Sequence, residues 1–222
     1  VIRFEADKDP LETDDPKWAE RVRFKSTLDF KILVDEYLAR MPEAVFEPSA
    51  YTFGRFPAKS EWIRGRFTAY HRLPVKRRLV MIAEDILDRY ETDYFMEKPL
   101  PKAGAILKSL AAMLKMKNTL SLYKDFYKQN NIADKFVMPE KKTLEWSDVY
   151  PFMYFHAAFE GLRESRLIRH LVIDEMQDYT PVQYAVMNVL FKCRKTILGD
   201  FGQFINPNHL YTLADLRRLY EG

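Results

Sequence analysis

Apolar residues recur at helical spacing through the first two-thirds of the chain, then gather into two short β-like runs near its end. The first twenty residues read as an acidic, irregular lead-in punctuated by Pro10 and Pro16. The spacing then predicts a helix over 26–40, with Leu28, Ile32 and Leu33 on one face, Asp29 and Glu36 on the other, and Pro42 as its end. Aromatic and β-branched residues over 45–56, around Pro48-Ser49, predict a hairpin. Ser60-Glu61-Trp62 opens a further helix that Leu73-Pro74 breaks. Leu79, Ile82, Ile86 and Leu87 mark the next, over 75–90. Beyond Pro99 and Pro101, Ile106, Leu110, Met113 and Leu114 face inward on one helix, and Leu122 and Phe126 on another over 119–129.

The pattern changes after Ser147. An amphipathic helix over 148–164 leads into His170-Leu171-Val172-Ile173, an apolar run that ends in Asp174-Glu175. Thr180, Pro181 and Gln183 are the N-cap, first residue and capping-box partner of a helix whose apolar face is Val182, Val186, Val189 and Leu190. Thr196-Ile197-Leu198 is a second buried strand, ending in Gly199-Asp200. Strand, helix and strand with short joints predict a parallel α/β sheet.

Composition narrows the class. With 222 residues, 47% of them apolar or aromatic, the chain can build one sizeable core or two small ones. It has no run of about 18 apolar residues, so no membrane span is expected. A start at Val1, with neither Met nor a signal sequence, suggests a piece of a longer protein. The single Cys193 can form no internal disulfide; it reads as a packing residue in a reducing cytoplasm. Net charge is only +3 but uneven: residues 1–20 hold seven acids and three bases, and residues 55–78 hold eight bases and one acid. Residues 98–142 add ten lysines against three acids. Such asymmetry suits a nucleic-acid or acidic-protein partner.

Ligands of a parallel α/β sheet sit at the carboxyl ends of its strands. Both strands end in acids here, and an apolar strand running into Asp-Glu is one way to hold Mg-ATP: the first acid for magnesium, the second for the attacking water. Alone that signal is weak. The longer strings are more specific. His170-Leu-Val-Ile-Asp-Glu-Met-Gln-Asp-Tyr-Thr-Pro-Val-Gln183 and Lys195-Thr-Ile-Leu-Gly-Asp-Phe-Gly-Gln203 resemble motifs II and III of the UvrD/Rep superfamily 1 helicases. The resemblance implies that Asp174 engages magnesium through water, that Glu175 is the general base, and that Gln203 reads the γ-phosphate. It implies that Gln177 and Asp178 position motif elements around the nucleotide; Asp200 also matches.

Two further segments, Arg23-Phe-Lys-Ser-Thr-Leu-Asp-Phe30 and Leu144-Glu-Trp-Ser-Asp-Val-Tyr-Pro-Phe152, look like the flanks of a helical insertion in HelD-type proteins. Those are bacterial, RNA polymerase-associated ATPases, and Phe204-Ile205-Asn206-Pro207 also resembles them. The resemblance implies an α/β fold: a partial RecA-like (P-loop NTPase) parallel sheet at 144–222, a mainly helical insertion at 21–143, and the acidic lead-in at 1–20. It implies ATP and Mg2+ as cofactors of the parent protein, single- or double-stranded DNA and RNA polymerase as partners, and a bacterial cytoplasmic location. None of the seven glycines is followed by lysine, so the Gly-x-x-x-x-Gly-Lys phosphate cradle is absent from the sequence. The chain alone is therefore expected to be inactive.

Residues 55–78 interleave bases with Phe56, Trp62, Phe67 and Tyr70. Arg64, Arg66, Arg77, Arg78 and Trp62 are candidates for binding nucleic acid or a protein partner, against the plainer reading of a helix pair that buries aromatics and wets arginines. His71 and His156 have no partners at metal-ligand spacing. Trp18, Trp62 and Trp146 read as core or interface anchors. The two functional expectations are a motor driven by ATP and a binding arm for polymerase or DNA.

Overall fold

The computed structural model describes residues 1–6, 16–54, 56–93, 100–200 and 214. Its elements in chain order begin with β1 (Arg3–Phe4), α1 (Pro16–Lys25), α2 (Leu28–Val45) and the hairpin strands β2 (Tyr51–Phe53) and β3 (Phe56–Ala58). Four helices follow, α3 (Ser60–Ala69), α4 (Val75–Asp93), α5 (Ala103–Ala112) and α6 (Thr119–Gln129). The chain continues through β4 (Thr143–Leu144), α7 (Val149–Phe159), β5 (His170–Ile173), α8 (Pro181–Leu190) and β6 (Arg194–Ile197). No helix among the described residues is long and apolar enough to cross a membrane.

The result is a mainly helical α/β protein with small two-stranded sheets. β1 pairs parallel with β4, β2 antiparallel with β3, and β5 parallel with β6. The strand–helix–strand unit over β5, α8 and β6 is present, but the expected RecA-like sheet is not formed among the described residues, where β5 and β6 pair only with each other.

Contacts divide the protein into two compact units. One comprises Val1–Tyr37, Leu122–His156 and Leu162–Gly222; the other comprises Leu38–Ser121 and Ala157–Gly161. The first unit has an aromatic core. Phe30, Tyr37, Tyr123, Phe126 and Phe155 are buried and meet largely edge to face, with centroid separations of 5.1–5.9 Å. In the second unit Phe46 stacks on Phe67 at 4.3 Å, and Leu79, Ile82, Ile106 and Leu110 are buried.

Several expectations change, among them the second strand, which is Arg194–Ile197 with alternating exposure and not a buried run over 196–198. The lead-in is not wholly irregular, because β1 docks against Thr143–Leu144 and α1 starts at Pro16, where a missing N–H costs nothing. Helix α2 runs through Pro42 to Val45. An internal proline costs about 3 kcal/mol; here it is offset by buried Met41, Val45 and Phe46, and by the Val45 carbonyl accepting the Lys115 N–H at 2.8 Å. The buried face of α2 is also not Leu28, Ile32 and Leu33. It is the i, i+4, i+7 stripe of Phe30, Val34 and Tyr37, while Ile32 is exposed. The hairpin pairs at 51–58, with Gly54 at φ +60 in its turn.

Candidate functional site

The site is built where β5 and β6 end. Leu171, Ile173 and Ile197 pack with Met176, Tyr179, Tyr184 and Met187 on one side of the sheet. The other side carries His170, Val172 and Thr196, where the His170 Nε2 and Thr196 Oγ1 are 2.8 Å apart and Val172 is 60% exposed. Parallel sheets are normally covered on both faces; among the described residues this one is covered on one.

Past Ile173 the backbone turns sharply. The Leu198 N–H donates to the Ile173 carbonyl at 2.8 Å, and the Met176 N–H donates to the Leu198 carbonyl at 2.9 Å. Between these anchors Glu175 takes a left-handed conformation, φ 49 and ψ 51, which costs a non-glycine residue about 1–2 kcal/mol. The turn is braced from below: the buried Tyr184 hydroxyl donates to the Met176 carbonyl at 2.7 Å. Tyr184 itself is positioned by α8, whose capping box is complete. The Gln183 N–H donates to Thr180 Oγ1 at 3.3 Å, and the Thr180 N–H donates to Gln183 Oε1 at 2.6 Å.

Asp174 and Glu175 are both exposed. Asp174 Oδ1 accepts the Glu175 N–H at 2.9 Å. Gln177, only 1% exposed, ties the two strand ends together: its Nε2 donates to Glu175 Oε2 at 2.6 Å, and its Oε1 accepts the Asp200 N–H at 3.3 Å. Gly199 allows that approach. A Cβ there would lie 2.5 Å from Gln177 Oε1 and Met176 Cγ, and 2.8 Å from the Met176 nitrogen. Asp178 is half-buried, with Oδ1 hidden from solvent and unpartnered. The fold thus brings Asp174, Glu175, Gln177 and Asp200 to one end of the β5–β6 pair. Gln203 lies outside the described residues.

Among the described residues no three His, Cys, Asp or Glu side chains are grouped to hold a metal ion. Magnesium keeps several waters and takes one or two carboxylates beside substrate phosphates. Asp174, exposed at the strand end, fits such a role.

The other candidates are placed differently. Arg78 is buried over the Phe67 ring, with Nε donating to the Leu73 carbonyl at 2.8 Å and Nη2 to the His71 carbonyl at 2.7 Å. Burial lowers its pKa from the usual arginine value. Arg66 binds Asp85 at 2.7 Å and the Tyr70 hydroxyl at 2.6 Å, and the bond to Asp85 holds its pKa above the ordinary value. Half-buried Trp62 lies under Arg89, 5.6 Å from its guanidinium carbon. Arg64 and Arg77 are exposed, Arg64 within 4.0 Å of Glu43.

Sequence reasoning missed a second polar cluster in the first unit. Glu145 is bound by Arg21 through Nε at 3.0 and 3.1 Å and through Nη2 at 2.6 Å. Lys25 reaches Glu145 at 3.3 Å and Asp148 at 2.7 Å, and all four groups are buried. The Tyr123 hydroxyl donates to Asp148 Oδ1 at 2.6 Å. These residues join α1 to the turn after β4, and the only sequence signal for them was apolar and charged residues mixed within one short helix.

No family model matches the chain, and no curated protein matches it by sequence.

Proposed function

We propose that the acidic end of β5 and β6 is part of a Mg-ATP site in a UvrD-like, ATP-dependent motor that acts on nucleic acid. The observation that carries this reading is the Gln177 bridge, which holds the Glu175 carboxylate against the end of the neighbouring strand at Asp200. Two carboxylates at the mouths of adjacent parallel strands, in the strings Asp174-Glu-Met-Gln-Asp178 and Gly199-Asp200, suit nucleotide chemistry. The strained Glu175 backbone adds support, since such strain gathers at functional sites.

In this reading Asp174 holds the magnesium through water, and magnesium supplies neutralisation of phosphate charge. Glu175 takes the proton of the attacking water, and Gln177 keeps its carboxylate oriented. The bare Val172 face is where a covering layer of such a parallel sheet would pack. The HelD-type alternative, a polymerase-recycling factor with a binding arm, draws support from the two resembling segments. The turn after β4, in the second, joins the neighbourhood of the first through Lys25.

ATP turnover tests the reading. The chain alone is expected to show none, because it has no Gly-Lys phosphate loop. In a longer protein that supplies one, Glu175→Gln should keep Mg-ATP binding and lower turnover by about 10²–10⁴. Steady hydrolysis by the chain alone, abolished by Glu175→Ala, would overturn the expectation that it holds only part of the site, while leaving Glu175 its role. An undiminished rate in the longer Glu175→Gln protein would overturn the reading itself.

A further inference from the structure

The opposite ends of β5 and β6 carry the opposite charge. Residues 162–170 read Leu-Arg-Glu-Ser-Arg-Leu-Ile-Arg-His, three arginines against Glu164, and residues 191–195 add Lys192, Arg194 and Lys195. The fold brings the two segments together. The Ser165 N–H donates to the Leu190 carbonyl at 2.9 Å, and His170 stands opposite Arg194 in the strand register. Between them lies an open cavity of about 700 Å³, lined by Arg166, Arg169, Lys192 and Arg194, with Glu164 the one acid there among the described residues.

These four cations are exposed, and none makes an ion pair or side-chain hydrogen bond among the described residues. Lys195 differs, since its Nζ donates to the Phe191 carbonyl at 2.7 Å. Arg21 and Lys25, in the same unit, are buried and paired. Unpaired like charges gathered in one concavity repel one another and raise the local concentration of anions. Among the described residues no Phe, Tyr or Trp lines the cavity, and the His170 ring there is engaged by Thr196, so these residues offer little platform on which unpaired bases could stack. A duplex keeps its bases stacked on each other and presents phosphates alone.

We infer that this basic end of the β5–β6 unit binds the phosphate backbone of a nucleic-acid duplex without reading its sequence. The surface is separate from the acidic end of the same strands, and its binding requires neither ATP nor magnesium. The protein would hold a duplex at one end of the strands and a nucleotide at the other.

The test is fluorescence anisotropy of a labelled, mixed-sequence DNA duplex of about 20 base pairs, titrated with the chain over a series of salt concentrations. Four phosphate contacts predict a slope of log affinity against log salt near roughly −3.6, about twelvefold per doubling of salt. Replacing Arg166, Arg169, Lys192 and Arg194 together by Ala should weaken low-salt binding about tenfold or more and flatten the slope by about 0.9 per lost contact. The milder pair Arg166→Gln and Arg194→Gln, which keeps side-chain length, should flatten it by about 1.8. Leu167, 94% exposed among the arginines, should not matter, and Leu167→Ser should bind as the parent does. Unchanged affinity and slope in the paired glutamine variant would overturn the inference. Tighter binding to a single strand of equal length would overturn it too. So would displacement of the duplex by polyglutamate together with weaker binding by Leu167→Ser, which would mark an acidic protein surface instead.

Discussion

The first compact unit contains two sets of carboxylates, and they are held in opposite ways. Glu145 and Asp148 are buried, 1% and 0% exposed, and are tied to Arg21 and Lys25. Asp174 and Glu175 are exposed, are paired with no described cation, and sit on a backbone turn with a left-handed residue. Burying a charge is tolerable only when it is paired and hydrogen-bonded, so the first set is committed to the fold. The second set keeps its oxygens toward solvent while Gln177, Tyr184 and Gly199 fix the frame beneath. The difference separates carboxylates that hold the chain together from carboxylates free to meet a ligand.

The largest expected effect breaks the buried set. Glu145→Ala removes the buried carboxylate that Arg21 and Lys25 share, leaving Lys25 with Asp148 and Ser147, and removing one partner of a buried pair costs about 3–5 kcal/mol. Urea unfolding should show that loss, while Glu175→Ala should cost about 1 kcal/mol or less. Equal losses would erase the distinction between the two sets.

The frame under the exposed set should be the next most sensitive. Gly199→Ala places a Cβ within 2.8 Å of the Met176 backbone nitrogen, which cannot swing aside as a side chain can. Overpacking of this kind costs about 1–3 kcal/mol. The Gln177 bridge should loosen with it, so amide exchange at Asp200 should accelerate in the variant. A variant as stable as the parent, with unchanged exchange, would show that the two strand ends are not held by close packing.

A smaller effect is expected in the pH dependence of the buried set. Burial raises the Asp148 carboxyl above the ordinary aspartate value, against the opposing pull of Lys25. Folded chains then bind the proton more readily than unfolded ones. That contribution favours the fold below the unfolded value and is lost as pH rises through the folded one. Asp148→Asn removes it, so the stability of the variant relative to the parent should rise as pH climbs from the ordinary aspartate range through the raised folded value. A constant difference across that range would mean that Lys25 and Tyr123 fully balance the burial.

Much of the local structure was legible in the residues. The apolar spacing over 119–129 coincides with α6, the run 170–173 with β5, and Thr180, Pro181 and Gln183 with the cap of α8. The strand–helix–strand order near the acids was legible for the same reason: short apolar runs and capping residues act over a few positions. The buried face of α2 differs from the expected one because Phe30, Val34 and Tyr37 form a cleaner stripe than Leu28, Ile32 and Leu33. The Arg21–Glu145 pair joins residues 124 positions apart, and no local pattern encodes such a distance. The commitment of Arg78 to the His71 and Leu73 carbonyls was hidden in the same way, because a basic run looks alike whether its charges are wet or buried. For the candidate site the string named the acids, but not the conformation of Glu175. That conformation is imposed by the hydrogen bonds of its neighbours to Leu198, the residue that follows the other strand.

The smallest expected effect tests that imposed conformation. Glu175→Gly and Glu175→Ala both remove the carboxylate and the bond from Gln177, so their difference isolates the backbone. A left-handed residue with a Cβ carries about 1–2 kcal/mol of strain. Glycine escapes it but loses about 0.5–1 kcal/mol through the greater freedom of the unfolded chain. The glycine variant should therefore be the more stable of the two by about 0.5–1 kcal/mol, read from paired urea titrations with equal slopes. Equal stability would mean that the turn relaxes once the side chain is gone, so that Ile173, Met176 and Leu198 do not hold it. The strain at Glu175 would then come from its own hydrogen bond to Gln177, and the exposed carboxylates would rest on a yielding frame rather than a rigid one.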